Sequence, residues 1–280
     1  MDSSCIYPHP YTAKLLIEAG SELNKLGQHG RSPLHIFALN GETKLVELLI
    51  EKGADVNFRD SDGKTSLHLA SNNQITELLI KNGIDINAID NDKRTALHDA
   101  ANNFDLERIE TLVKNRIDLH KKDNIQYTAL HYAAKYSSVS IIEYLINNGL
   151  CLHEKDHKGM TPFLLACQMA NCEVVEFLLK KGCKLDEIDL DGQNGLHIAT
   201  LGSNKEVIEF LLDKVGFDIN SRTANSGKTA LHLACESLRI DIIQLLVRKG
   251  IDINIIDNNG KTANQLAIDK GYTGIEEYFN

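Results

Sequence analysis

No apolar stretch in this sequence approaches the roughly 20 residues that a membrane-crossing helix needs. No charged-then-apolar signal segment opens it either. A chain of this kind is expected in the cytoplasm, with the nucleus as the second compartment. CxxC pairs are missing too: the six cysteines at 5, 151, 167, 172, 183 and 235 are scattered and read as reduced thiols, not as a disulfide frame. Cations are in deficit, with 30 Lys and Arg against 39 Asp and Glu and a net charge of −9. That balance works against broad attraction to nucleic-acid phosphates or anionic lipid, and it favours a partner with a basic surface. The remaining composition, 42% hydrophobic and 25% charged, is ordinary for a folded chain.

What the sequence does have is one tetrapeptide that keeps returning. It reads SPLH at Ser32, TSLH at Thr65, TALH at Thr95 and Thr128, TPFL at Thr161, NGLH at Asn194, TALH at Thr229 and TANQ at Thr262. The steps between these starts are 33, 30, 33, 33, 33, 35 and 33 residues. A fixed period of this size marks an array of stacked supersecondary units. Each unit runs through a short turn, the TALH element, a second apolar run such as LVELLI or VVEFLL, then a Gly and a DIN-like triplet.

Lines such as DGKTSLHLA with LLIEKGADVN, or GKTALHLA with LLVRKGIDIN, closely resemble the ankyrin repeat from about residue 11 to the end. The resemblance implies an all-α solenoid of stacked helix-turn-helix pairs with projecting β-hairpin loops. It divides the chain into a tail over 1–10, a half-repeat over 11–30, and repeats at 31–63, 64–93, 94–126, 127–159, 160–192, 193–227 and 228–260. A terminal cap over 261–280 closes the array. The half-repeat is expected to be only a second helix, Tyr11 to Asn24.

The physics of one unit accounts for these residue types. The leading Thr can cap backbone donors left unpaired by a first helical turn. Leu67, Leu97, Leu130, Leu196 and Leu231 then supply core volume, and the small Ala70, Ala100, Ala133, Ala199 and Ala234 allow close helix approach. Paired apolar residues at helical spacing, such as Leu48 with Leu49 or Leu245 with Leu246, mark a second helix. It is stopped by Gly53, Gly83, Gly149, Gly182 and Gly250. One unit cannot cover its own apolar faces, so stability comes from stacking on neighbours. The unit from Lys64 to Lys93 is three residues short near Ser71 to Gln74, which predicts a shortened helix pair. The unit from Gln193 to Gly227 carries two extra residues, one before Gly216 and one in Thr223 to Ser226, expected as loop changes.

Several patterns invite a chemical reading. Six histidines share the fourth TALH position, His35, His68, His98, His131, His197 and His232; the resemblance implies a structural bond from each to neighbouring turn backbone. His153 and His157 have i, i+4 spacing but fall in a predicted hairpin, so no metal site is expected. The GKT strings at Gly63, Gly227 and Gly260 lack the upstream Gly of a phosphate loop, having Phe58, Arg222 and Ile255 there. Cys167 and Cys235 face the packed layer as small hydrophobes, while Cys172 and Cys183 near turns are expected to be more exposed. The recurrent Asp60, Asp90, Asp123, Asp156, Asp189 and Asp257 read as turn chemistry. No enzyme and no cofactor are expected.

Recognition is expected where repeats differ, at hairpin tips and on first helices just past the small Ala, which form the concave face in the ankyrin family. Units four to six place Ile125, Tyr127, His157, Met160 and Leu190 at the tips and Lys135, Tyr136, Gln168, Met169 and Leu201 on the helices. Aromatic and Met residues with few charges suit an interface centre, with acidic Asp60, Asp62, Asp90 and Asp92 beside it as a rim for basic groups. The expected function is a protein-interaction scaffold or adaptor, acting as a monomer without nucleic acid or membrane. The alternative is a regulatory inhibitor or substrate-receptor part of an enzyme complex.

Overall fold

The computed structural model describes residues 10–18, 23, 26–136, 138–169, 171–272 and 274–279. Of the tail expected over 1–10, only Pro10 is among them; the later part of the helix expected to reach Asn24 also lies largely outside. The chain divides into two compact units, Met1–Tyr132 and Ala133–Asn280.

The first unit holds α1 (Pro10–Glu18), α2 (Pro33–Asn40), α3 (Thr43–Glu51), α4 (Ser66–Leu69), α5 (Asn73–Lys81), α6 (Ala96–Asn102) and α7 (Leu106–Lys114). The unit boundary falls within α8 (Ala129–Tyr136). The second unit holds α9 (Val139–Asn147), α10 (Pro162–Gln168), α11 (Cys172–Lys180), α12 (Gly195–Leu201), α13 (Lys205–Phe210), α14 (Ala230–Glu236), α15 (Ile240–Arg248) and α16 (Ala263–Asp269). In each unit the helices form two rows. First helices stack α2 on α4 on α6, and α10 on α12 on α14 on α16; second helices stack α1 on α3 on α5 on α7, and α9 on α11 on α13. The architecture is an all-α repeat solenoid.

Helix starts follow the expected cap chemistry. Thr65, Thr95, Thr229 and Thr262 each occupy an extended N-cap whose side chain meets the backbone three residues on, while the third helical residue reaches back to the cap. Helix ends follow the Gly rule: at Gly53 (φ 88°) the Gly N–H donates to Ile50 O at 3.0 Å, and Ala54 N–H donates to Leu49 O at 2.9 Å. This paired closure satisfies two carbonyls that a helix end leaves exposed. Between the ends, Leu45, Val46 and Leu49 of α3, like Ile242, Ile243, Leu245 and Leu246 of α15, are buried. Full burial of such a side chain is worth about 1.5–3 kcal/mol, and only the flanking helices make it possible.

The projecting loops are tighter than strands. Asp60 N–H donates to Lys64 O at 2.9 Å, and Asp60 Oδ1 accepts from Asp62 and Lys64 N–H at 3.0 and 2.8 Å. Asp90, Asp123, Asp156, Asp189 and Asp257 repeat the arrangement. One carboxylate thus closes each of these six turns, and among the described residues the only bridge of β type is Ile256 with Thr262. The loops expected as β-hairpins are therefore Asp-centred turns, too short to form a ladder.

Both length variants are absorbed in specific ways. In the short repeat the loss falls on the first helix alone: α4 has 4 residues, whereas α5 keeps 9. The expected shortening of the pair is corrected to one helix, since α5 packs on both α3 and α7 and keeps their length. In the long repeat the residue before Gly216 is not a loop change. It widens the helix end into a π turn, Leu211–Val215, with Gly216 N–H donating to Leu211 O. The second extra residue sits in the turn, where Thr223 replaces Asp and its Oγ1 accepts from Lys228 N–H at 3.0 Å.

Candidate protein-interaction face

The shared histidines are built into the turns. His68 Nδ1 accepts from Thr65 N–H at 3.1 Å, so Nε2 carries the proton and donates to Arg94 O at 3.0 Å. The same link joins His35 to Lys64 O, His98 to Tyr127 O, His197 to Ser221 O and His232 to Lys261 O, at 3.0–3.1 Å. Burial, partly opposed by these bonds, holds all five imidazoles below their ordinary pKa, with His197 lowered to about 4. They are neutral connectors between consecutive repeats.

Repeat five lacks this His, having Leu164. There Thr161 Oγ1 donates to Glu187 Oε2 at 2.5 Å, and Glu187 Oε1 meets His153 Nδ1 at 2.5 Å. His157 Nδ1 lies 4.0 Å from Asp156 instead. Among the described residues, no three His, Cys, Asp or Glu side chains are arranged to hold a metal ion. Cys167 and Cys235 are buried, and burial pushes both thiols up, Cys235 to about 12. Cys183, expected nearer the surface, is also buried and raised to about 12; Cys172 is half-buried, and among the described residues Cys151 is the exposed thiol. A thiol in this state is a poor nucleophile.

The ten side chains expected to meet a partner separate by burial. Tyr127 is 7% exposed: its ring stacks on His131 at 5.2 Å and meets Tyr132 edge-on. Met160, 5% exposed, is likewise packed at its turn. These two side chains hold turns in place. Ile125, also in the first unit, is exposed at its tip. In the second unit Tyr136, Met169 and Leu201 are 40%, 40% and 36% exposed, at the ends of α8, α10 and α12, and Leu190 is 68% exposed at its turn. Lys135 places its Nζ 5.2 Å from the Tyr136 ring centroid. Gln168 and His157 are exposed.

Side-by-side placement of the helix ends in the second unit is enforced by hydrogen bonds. Asn204 Nδ2 donates to Cys167 O at 2.9 Å and Gln168 O at 2.6 Å, tying the end of α10 to the start of α13. Leu238, in the turn past α14 and at the register of Phe104, is also an exposed apolar residue of the second unit, at 40% exposure. No periodic signal in the sequence singles it out, since it lies one residue beyond the register of Tyr136 and Met169. In the first unit, Asp60 and Asp90 are buried in their turns, with Arg31 on Asp60 at 3.3 Å and Arg94 on Asp90 at 3.1 Å. Asp62 and Asp92 alone of the expected acidic rim are exposed.

Family comparison agrees with the repeat architecture. A family model described as ankyrin repeats, three copies, matches residues 3–90, 73–156, 97–189, 150–223, 173–257 and 196–279. The chain belongs to the ankyrin repeat family. Such repeats are general protein-protein interaction modules. Among curated proteins, a vaccinia virus (strain Copenhagen) protein, ankyrin repeat protein B18, is 46% identical over 52 residues, 19% of this chain and 9% of its own length. Alpha-latrotoxin-Lt1a of Latrodectus tredecimguttatus is 44% identical over 62 residues, 22% of this chain and 4% of its own. The matches span small fractions of both relatives, so the likeness is one of repeats. No helix among the described residues is long and apolar enough to cross a membrane.

Proposed function

We propose that this ankyrin repeat chain is a non-catalytic adaptor that holds a protein partner against the first-helix ends and turn tips of its second unit. The observation that carries the reading is the half-exposed series Tyr136, Met169 and Leu201. Large apolar side chains recur at the ends of three successive first helices, where the packing between helix rows leaves them in contact with solvent. Surfaces of this kind, apolar with few charges, are used as interface centres. Lys135, Gln168, His157 and Leu190 flank them, and Ile125 is a separate contact on the first unit. Tyr127 and Met160 support their turns and do not touch the partner. The non-catalytic part of the reading is supported by the engaged, neutral imidazoles and the buried thiols.

The test is capture from host extract by the native chain and by Tyr136→Ala with Met169→Ala. The double variant should lose the partner while its stability changes by no more than about 1 kcal/mol, since half-exposed side chains contribute little to the core. A large loss of stability with partner capture retained would refute the assignment.

A further inference from the structure

The loop that follows α7 departs from its counterparts in two independent ways. The first is the residue that adopts the left-handed backbone. Arg116 sits at φ 64°, at the place where Gly53, Gly83, Gly149, Gly182 and Gly250 end five other second helices at φ 83–105°. A residue with a Cβ is strained in this left-handed region. At all five Gly positions an added Cβ would meet nothing within 4 Å. The arginine stem therefore leaves into open solvent, and no packing offsets the strain. Backbone strain without a packing return points to a role for the outward side chain.

The second departure is charge. The stretch Lys114–Asp123 contains Lys114, Arg116, Lys121 and Lys122 against Asp118 and Asp123, and Asp123 is buried closing its turn. In the other repeats the equivalent loop has no excess of cations over carboxylates, except that Lys214–Thr223 carries Lys214 and Arg222 against Asp218, an excess of one where Lys114–Asp123 has an excess of two. Lys114, Arg116, His120 and Lys121 are exposed. Lys121 is braced by Asp118 at 3.7 Å. Among the described residues, Lys81, Lys114 and Arg116 have no ion-pair partner. Lys81 and Lys114 line an open groove of about 360 Å³ between α5 and α7, on which Glu77 is the acidic residue, and Glu77 accepts from Asn73 Nδ2 at 3.3 Å.

We propose that this basic loop and groove form a second interaction surface, separate from the face of the second unit, that receives an Asp- and Glu-rich segment of a protein partner. Charge complementarity selects an acidic occupant. The net charge of −9 selects a short one: a nucleic acid running past the loop would meet the repelling remainder of the chain. A lipid surface would be expected to engage exposed apolar side chains beside the cations. Here Ile117 is buried, and no residue from 105 to 122 is an exposed large hydrophobic.

The experiment uses the full chain and a dye-labelled Glu-rich decapeptide, read by fluorescence anisotropy at low and at moderate salt. Its Gln counterpart, a single-stranded RNA decamer and vesicles containing phosphatidylserine serve as the other probes. The Glu-rich peptide should bind in a salt-sensitive manner. Arg116→Gly, and separately Lys114→Ser with Lys121→Ser, should each raise its Kd about tenfold, while Arg116→Gly shifts urea unfolding to higher concentration as strain is relieved. Lys180→Ser with Lys214→Ser should leave binding unchanged. The proposal is overturned if the peptide fails to bind, if neither variant weakens it, or if the Lys180 and Lys214 control weakens it equally. It is overturned too if RNA or vesicles bind more tightly than the peptide, or if Arg116→Gly lowers stability.

Discussion

Arg108 Nη2, on the second helix of the third repeat, donates to the His68 carbonyl at 3.3 Å and also to the Leu67 carbonyl, on the first helix of the second repeat. Those carbonyls belong to α4, the one-turn helix left by the three-residue deletion. Elsewhere in the array the register position of Arg108 holds Leu45, Ile75, Ile141, Val174, Val207 and Ile242. Arg108 is 1% exposed; burial pulls its pKa down, and Asp99 and Asp105 oppose the shift. An arginine thus occupies an apolar site where the missing helix turn would otherwise leave backbone acceptors unmet.

Arg108→Ile should therefore destabilise the chain, although it restores the residue type of the neighbouring repeats. Leaving buried acceptors unpaired costs about 1–3 kcal/mol. Inserting three residues after Ala70, to complete α4, should recover much of that loss in the Arg108→Ile background and little in the native one. Urea unfolding of the four proteins checks the coupling; additive effects would disprove it.

In repeat five, Glu187 stands in for the missing histidine by accepting from Thr161 Oγ1. Its side chain is 8% exposed, against 44% for its partner His153. Glu187→Ala should cost about 1–3 kcal/mol by leaving the hydrogen of the buried Thr161 hydroxyl without an acceptor, whereas His153→Ala should cost about 1 kcal/mol or less. Leu164→His added to Glu187→Ala should regain stability, since the new imidazole can join Thr161 to the next turn. Denaturant midpoints of the three variants decide the matter.

Acid should weaken the array through its connectors. His35, His68, His98, His197 and His232 have lowered pKa values in the fold. On acidification the unfolded chain takes up protons first, so stability falls with falling pH. The contribution is complete above the unfolded value of about 6.5 and is lost as pH drops through the folded values. For His197, lowered to about 4, it amounts to about 3 kcal/mol. Stability measured between neutral pH and pH 5 should fall steadily, and His197→Gln should flatten that dependence. An unchanged slope in the variant would contradict the assignment.

Much of the scaffold was legible because its signals are local. Thr65 and His68 are three residues apart, and Gly53 ends a helix through its own φ, so helix starts and stops could be read directly. Burial of individual recognition candidates could not. Tyr127 and Tyr136 are aromatic residues of one repeat, yet Tyr127 lies flat on His131 while Tyr136 remains half exposed. Arg108 reads as a surface cation on an amphipathic helix, and only its register, shared with Leu45 and Ile75, could have exposed its buried position. Arg116 was visible as the residue in the place of a Gly; its strain and outward path were not.

Period, helix pairs and Asp-closed turns were determined by the sequence alone, since capping, backbone propensity and turn bonding act over a few residues. Tertiary structure decided that α4 borrows a guanidinium from α7, that Glu187 replaces an imidazole, and which apolar side chains stay in solvent. Those outcomes join residues 26 to 41 positions apart. Their free energies depend on what a neighbouring repeat brings into contact, and no local preference encodes that.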